Sequence, residues 1–266
     1  MNIRFEKPQN SLLADYIEGY YFLKNTEEDF SLTYLTFPNN YQIVSILLNS
    51  SVQVEKHQIN VVSNNAGSFI SNFTYNYTTP LQVNYRGAVN ELTIYFKPLG
   101  LNFFVSDIQK YYAQKENFVN FLPFDDFEVF MTALLNKDDL ELCIKELETY
   151  LTGKLQKVNL KLVEKIKNDI ISKNITEIAS EHGLSRQYIN KLFHSHLGKS
   201  PTEFKRIHRF RATLEQPHLN LTQKGLDALF YDQSHLIKEF HKMTHNSPKV
   251  FFHKVDFKTS NPWLFI

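Results

Sequence analysis

The sequence has one cysteine, eight glycines and no long run of apolar residues. A single thiol, Cys143, excludes an internal disulfide and any zinc site built from several thiolates, and its helical surroundings predict a small buried apolar residue. No stretch approaches the ~18 consecutive apolar residues of a membrane span, and the first residues lack the basic and apolar character of a signal peptide. We therefore expect a soluble, cytoplasmic protein.

Residues that would support catalysis are also scarce. Metal-dependent β-barrels need clustered histidines with a carboxylate, yet His57 is the single histidine before residue 155. His194 and His196 point to opposite sides of a predicted helix, and His241 and His245 lack the intervening glutamate of a metalloprotease helix. The eight glycines are also not arranged in a glycine-rich loop of the kind that binds phosphates. We predict a protein that is not an enzyme and holds no cofactor or metal.

The charge is distributed unevenly along a chain of globular composition. The 266 residues are 42% apolar and 21% charged, which is typical of one or two folded domains. Residues 1–155 have 11 basic and 18 acidic residues, a net charge of −7, whereas residues 156–266 have 18 and 10, a net charge of +8. A basic domain attracts polyanions that an acidic one repels. This predicts domains at 1–155 and 156–266 with different partners; the alternative is mutual neutralisation across an interface.

Short runs rich in β-branched and aromatic residues dominate the chain between Gly19 and Lys97. They predict eight strands, at 19–23, 32–37, 41–48, 52–55, 59–62, 67–71, 81–85 and 92–96. Many short strands at close spacing favour an antiparallel β-sandwich or a small barrel, with an interior that is either filled or open to a small ligand.

After Pro98 the apolar residues recur at helical spacing, which predicts packing helices. The pairs Asp125–Asp126 and Asp138–Asp139 fall in the first turns of two of these helices, so we interpret them as helix caps. Gly153 is predicted to end the last of them, and the next helix to run over 160–171. The fold class is therefore α+β, with an all-α C-terminal domain after the β-rich one.

The C-terminal half contains an internal repeat. Residues 185–204 superpose on 232–251 at a shift of 47, and Lys, Phe, His, Ser, Pro and a second Phe recur. Upstream, Ile178 and Ala179 precede Gly183, which suits the left-handed residue of a tight turn, and Ser185 can cap the helix that follows. The pattern predicts two helix-turn-helix units. In the first, the inward helix face consists of Ile189, Leu192, Phe193 and Leu197.

The outward faces of the two second helices carry side chains that can read bases. Gln and Asn bond bidentately to adenine, Arg and Lys bond to guanine, and an α-helix fits the major groove of B-DNA. In the first unit these candidates are Arg186, Gln187, Asn190, Lys191 and His194. In the second they are Gln233, Ser234, Ile237 and Lys238, with His241 on the same face. Ile237 is either a contact for a thymine methyl group or an ordinary exposed isoleucine.

Basic residues near the helix ends are candidates for contacts with DNA phosphates. They are Lys199, Lys205, Arg206, Lys242 and Lys249. The alternative is ordinary solvated charge.

Residues 160–255 resemble the DNA-binding domain of the AraC family of transcriptional regulators, in which a long helix joins two helix-turn-helix units. The resemblance is carried by Ile178–Ala179, Gly183–Ser185, Gly198–Pro201 with Phe204 and Arg209, Phe230–Leu236, Phe240 and Ser247–Pro248. The first domain, ending in Tyr95–Gly100, is similar to the cupin-like barrels that precede this module. The resemblance implies double-stranded DNA, a small-molecule effector, RNA polymerase and a second copy of the chain as partners, and a structural role for Arg209.

The second unit departs from the family pattern at three positions. Lys224, Gly225 and Leu229 stand where the first unit has Ile178, Ala179 and Gly183. We therefore predict that the first unit reads most of the bases and that the second acts mainly as a backbone clamp. The alternative function is a barrel that binds a small molecule or a protein, joined to an impaired DNA-binding module. Salt dependence of DNA binding separates the two.

Overall fold

A computed structural model describes residues 5–55, 57–64, 66–114, 118–215 and 233–254. The chain folds into two compact units. The N-terminal unit takes its residues from Met1–Tyr34, Tyr41–Tyr75 and Gln82–Val158. The C-terminal unit takes its residues from Leu35–Asn40, Asn76–Leu81 and Asn159–Ile266. The C-terminal unit thus includes two short segments from the β-rich part of the sequence.

The strands that the structure describes form two sheets, which do not close into a barrel. Their bounds are β1 Phe5–Glu6, β2 Ile17–Asn25, β3 Ser31–Thr36, β4 Gln42–Leu48, β5 Ser50–Glu55, β6 Gln58–Ser63, β7 Phe69–Thr74, β8 Leu81–Arg86, β9 Val89–Phe96 and β10 Val119–Asn120. The first sheet has the order β1-β2-β9-β4-β7-β10 and the second has the order β3-β8-β6-β5. The eight predicted strands correspond to β2–β9. Strands β1 and β10 were not predicted, because two residues are too few to show a run of strand-forming residues.

One strand pair departs from the predicted antiparallel arrangement. The described pairs of the first sheet are antiparallel, as are β5 and β6, but β6 and β8 run parallel from Gln58 opposite Gln82. The strand between them in sequence, β7, pairs in the other sheet. The chain therefore leaves the second sheet after β6 and returns to it in the same direction.

Helices cover one face of the first sheet. The N-terminal unit contains α1 Ser11–Ala14, a 3₁₀ turn at Gly100–Phe103, α2 Gln109–Tyr112, α3 Phe127–Leu135 and α4 Leu140–Lys154. Val44, Ile46 and Leu92 of the sheet pack against Met131 and Leu147 of the helices in one buried core. Six of the seven residues of β4 and seven of the eight residues of β9 are buried, so both faces of these two strands are covered.

The opposite face of the first sheet meets the second sheet around a buried carboxylate. Glu91 on β9 is 3% exposed. It accepts hydrogen bonds from Tyr85 of the second sheet at 2.6 Å, from Thr93 at 2.6 Å and from Tyr21 at 3.1 Å. Burial raises the pKa of Glu91, and the hydroxyl donors oppose that shift.

The predicted aspartate caps differ in what they do. Asp139 accepts a hydrogen bond from the Leu142 amide at 3.1 Å and caps α4 as expected. Asp126 precedes α3, but its carboxylate binds the Lys154 ammonium at 2.8 Å. Helix α4 also continues one residue past Gly153 to Lys154. Cys143 is buried on this helix, as predicted.

The C-terminal unit is helical. Its helices are α5 Lys161–Ser172, α6 Ile175–His182, α7 Arg186–Leu197, α8 Pro201–Glu215, α9 Gln233–Thr244 and α10 Pro248–Lys254. Ile207 and Phe210 of α8, Phe240 and Met243 of α9, and Phe251 of α10 share one buried core. Across the described ranges, no helix combines the length and the apolar character that crossing a bilayer requires.

Candidate nucleic-acid interface

Helices α6 and α7 form a helix-turn-helix whose ends are fixed by local sequence. The Asn174 side chain accepts hydrogen bonds from the amides of Thr176 and Glu177, and Glu177 accepts one from the Asn174 amide at 2.8 Å. Gly183 ends α6 in the left-handed conformation, with φ of 62°. Ser185 then caps α7 by accepting from the Tyr188 amide at 3.1 Å. The predicted turn glycine and the predicted cap are both confirmed.

An ion-pair cluster fixes α6 on α5. The Lys173 ammonium lies 2.5 Å from a Glu181 oxygen and 3.6 Å from an Asp169 oxygen, while His182 Nε2 lies 3.1 Å from Asp169. The hydrogen bond from His182 lowers the pKa of Asp169. The oxygen and nitrogen atoms of Asp169, Glu181 and His182 lie within 4.8 Å of one another, a spacing that could hold a metal ion. Because the Lys173 ammonium already neutralises these carboxylates, we interpret the cluster as an ion-pair network that joins α5 to α6.

Helix α7 has one largely buried face. Ile189 and Phe193 are 0% exposed, Leu197 is 1% exposed and Leu192 is half-buried. On the other side, Arg186, Gln187, Lys191 and His194 are exposed and Asn190 is half-buried. The Asn190 amide donates to the Arg186 carbonyl at 2.9 Å. The helix therefore presents a polar face to solvent while its apolar face holds it in place.

Helix α9 repeats this arrangement. Leu236 and Phe240 are buried, while Ser234, Ile237, Lys238 and His241 are exposed. Gln233 begins the helix, but its side chain lies outside the described part of the structure, as do Lys224, Gly225 and Leu229.

The candidate phosphate contacts fall into three environments. Lys199 is 1% exposed, and its ammonium donates to the Asn39 carbonyl at 3.2 Å. Burial lowers the pKa of Lys199 to about 7. The prediction that Lys199 contacts phosphate is therefore wrong for this arrangement, because a buried ammonium bonded to a carbonyl does not reach a DNA backbone.

Lys205 and Arg206 are half-buried on α8. The Lys205 ammonium donates to the Lys173 carbonyl at 2.8 Å, and Arg206 Nε lies 3.5 Å from Glu239 Oε2. Lys242 and Lys249 are exposed on α9 and α10. The four side chains thus differ in how freely they can approach a phosphate.

Comparison with known proteins agrees with this geometry. Residues 178–254 match the family described as a helix-turn-helix domain. The C-terminal part of the chain is therefore similar to known helix-turn-helix domains. The match extends from α6 to the end of α10 and therefore takes in both predicted recognition helices.

Solved structures give a weaker likeness that extends over more of the chain. ToxT from Vibrio cholerae is 13% identical over 87% of this chain and 98% of its own, with a TM-score of 0.46. Wild-type ToxT of strain SCE256, bound to an unsaturated fatty acid, is 15% identical over 88% and 95%, with a TM-score of 0.44. The C-terminal domain of AraT, a response regulator from Geobacillus stearothermophilus, is 15% identical over 38% and 93%, with a TM-score of 0.34. No curated protein sequence matches the chain.

Helix α7 has a further exposed residue that the sequence analysis did not identify. Tyr188, in the first turn of α7, is 43% exposed. It lies about 100° around the helix from Gln187, so on a helical wheel it falls outside the polar stripe. A tyrosine hydroxyl at this position can donate to a DNA phosphate. An aromatic side chain outside the apolar stripe of a predicted recognition helix is the sequence signal that would have identified it.

Proposed function

We propose that the chain is a sequence-specific, DNA-binding transcriptional regulator and not an enzyme. The observation that supports this most strongly is the pair of helices α7 and α9, in each of which a largely buried apolar face opposes an exposed polar one. The 47-residue repeat relates the two helices, so the same construction occurs twice. Tandem recognition helices of this kind contact major-groove faces about 34 Å apart on one side of the duplex.

Helix α7 is proposed to read most of the bases. Gln187 and Asn190 suit adenine, and Arg186 and Lys191 suit guanine. The Asn190 amide nitrogen already bonds its own helix, which leaves its oxygen as the acceptor for a base amino group. His194 completes the face one turn further along.

Helix α9 is proposed to act mainly as a clamp. Ser234, Ile237 and Lys238 would meet the groove, with Gln233 at the start of the helix, and Ile237 offers an apolar contact to a thymine methyl group. Lys242 and Lys249 would contact phosphates, which position the protein on the duplex without specifying sequence.

We further propose that the N-terminal unit binds a small-molecule effector. A cavity of about 210 Å³ lies between the end of β2 and the α3–α4 connection. Its apolar lining includes Phe22, Leu134 and Cys143, and Lys24 and Lys137 also line it. Such a volume equals about seven waters at ~30 Å³ each. The variant Cys143→Met places a larger side chain in the cavity. Compounds that raise the melting temperature of the wild-type chain but not that of the variant would support this site.

The remaining parts of the proposal concern assembly and place of action. We propose that the chain works in the cytoplasm as a homodimer and contacts RNA polymerase when it activates transcription. Effector binding would then change dimerisation or domain docking. Sedimentation velocity with and without effector tests the oligomeric part.

The test of the proposed function is DNA binding by the purified full chain as a function of salt. We expect log K to fall with log[salt], with a slope of about −0.9 for each phosphate contact, for specific and unrelated duplexes alike. Specific duplexes should bind more tightly at each salt concentration. Binding that shows no sequence preference at any salt concentration would favour the alternative, an N-terminal binding domain with an impaired DNA-binding module.

A further inference from the structure

A cavity of about 480 Å³ lies within the C-terminal unit, where the α5–α6 junction, the first half of α8 and helix α9 meet. Lys205, Arg206 and Arg209 line it from α8. His235 and Glu239 line it from α9. We call it the α8 cavity. It therefore lies between the first helix-turn-helix unit and the second recognition helix.

The α8 cavity concentrates positive charge. Among the lining residues that the structure describes, α8 supplies three cations and α9 supplies one carboxylate, Glu239, whose oxygen lies 3.5 Å from Arg206 Nε. The Lys205 ammonium bonds the neutral Lys173 carbonyl at 2.8 Å and no carboxylate in the described hydrogen-bond network. Glu177 also reaches this region electrostatically, but its own carboxylate is held by the Asn174 amide at 2.8 Å.

The pKa values of two of these cations are lowered by their surroundings. Burial and then the charge of Arg209 lower the pKa of Lys205, and burial lowers the pKa of Arg209. A group whose charged form is disfavoured by its neighbours is stabilised when an anion arrives. The geometry, half-buried cations around an open volume, therefore suits a ligand that carries negative charge.

The chemistry of the lining favours phosphate among anions. The Arg206 guanidinium offers a planar fork of donors, which matches the oxygens of phosphate. The N-termini of α6 and α8 also border the cavity through Asn174 and Pro201, and their dipoles add positive potential. The volume exceeds that of a single ion, so a bound phosphate can enter with the group to which it is attached.

We propose that the α8 cavity binds a phosphate group. The phosphate comes either from the DNA backbone between the two recognition helices or from a free phosphorylated small molecule. The DNA source rests on the proposed function, because the first helix of a helix-turn-helix crosses the backbone and α6 forms one edge of the cavity. In both cases Arg206 and Lys205 are the binding residues.

The first arm of the test measures DNA binding by the full chain as a function of salt. Arg206→Met should reduce the magnitude of the salt slope by about 0.9 and leave sequence preference unchanged, since phosphate contacts carry no base information. Arg206→Lys retains the charge and should retain the slope while binding less tightly. Lys145→Met on α4 removes an exposed lysine from the other unit and serves as the control of equal charge change.

The second arm uses inorganic phosphate and pyrophosphate without DNA. At constant ionic strength they should raise the melting temperature of the wild-type chain and of Lys145→Met, but not of Arg206→Met. Melting curves of the ligand-free variants establish that each is folded.

The two arms separate the sources. A change in the DNA slope alone assigns the backbone as the source, and a phosphate-dependent melting shift alone assigns a free ligand. If Arg206→Met behaves as Lys145→Met in both arms, the proposal is overturned. A wild-type chain that binds no DNA contradicts the proposed function. The second arm then still shows whether the α8 cavity binds phosphate.

Discussion

Gly198 and His245 lie 47 residues apart and have the same left-handed backbone, with φ of 69° and 55°. The Gly198 amide donates to the His194 carbonyl, and the His245 amide donates to the carbonyl of His241, which is His194 shifted by 47. The repeat found in the sequence is therefore also a repeat of backbone conformation. Both recognition helices end in the same way, although only one of them ends in glycine.

This pair gives a first prediction about stability. Gly198→Ala should lower the free energy of unfolding by about 1 to 2 kcal/mol, because a side chain is disfavoured in the left-handed region. His245→Gly relieves the same conflict at the equivalent position and should cost much less. Urea unfolding followed by circular dichroism measures both. Equal losses in the two variants would show that backbone conformation does not control these helix ends.

Buried Lys199 predicts a pH dependence of stability. Its pKa is about 7 in the folded chain, whereas the ordinary value is 10.5, so between these values the unfolded chain binds more protons. The contribution of Lys199 to stability is fully present above pH 10.5 and is lost as pH falls towards 7. Wild type should therefore gain stability relative to Lys199→Met by up to about 1.4 kcal/mol per pH unit in this window.

The measurement is the free energy of unfolding of both proteins at several pH values from neutral to alkaline. The variant controls for all other titrating groups. A constant difference between the two proteins would mean that Lys199 stays charged when folded.

The Glu91 network predicts coupling between the two sheets. Tyr85→Phe removes the 2.6 Å hydrogen bond to Glu91 and should cost about 1.5 to 3 kcal/mol, as expected for a bond to a charged group. In a Glu91→Gln background the same change should cost about 0.5 to 1.5 kcal/mol, because the bond is then between neutral groups. A double-mutant cycle by urea unfolding measures the difference. Identical costs in both backgrounds would argue against a charge-assisted bond.

The relative roles of α7 and α9 give a prediction about DNA binding. Lys191→Ala should weaken binding to the preferred duplex by about 1 to 3 kcal/mol and relax the preference at one base pair. Lys238→Ala should weaken binding to preferred and unrelated duplexes by similar factors. Fluorescence anisotropy with matched duplexes distinguishes these outcomes. The ranking is wrong if Lys191→Ala retains both affinity and preference while Lys238→Ala loses both.

Local signals predicted much of this structure. The turn at Gly183, the cap at Ser185 and the buried stripe of Ile189 and Phe193 are encoded within a few residues of where they act, so sequence spacing was sufficient. The eight central strands likewise follow from short runs rich in β-branched and aromatic residues.

Features that depend on distant residues escaped prediction. Lys199 looks like a phosphate ligand in sequence, but its burial depends on Asn39, 160 residues earlier. The Asp126 carboxylate binds Lys154 and does not cap a helix as predicted. The lining of the α8 cavity includes residues of α9, which lie far from α8 in the sequence. In each case the partner comes from another part of the fold, which a periodic pattern does not specify.

Selection of bound duplexes from a random pool by the purified full chain tests the central claim most directly. The account predicts enrichment of a site with one strongly preferred block of bases, read by α7, and a weaker preference about one helical turn away, where α9 contacts the duplex. Lys191→Ala should relax the preference at one base pair of the strong block. A pool that stays unenriched at low salt, where phosphate contacts alone hold DNA, would contradict base reading by this chain.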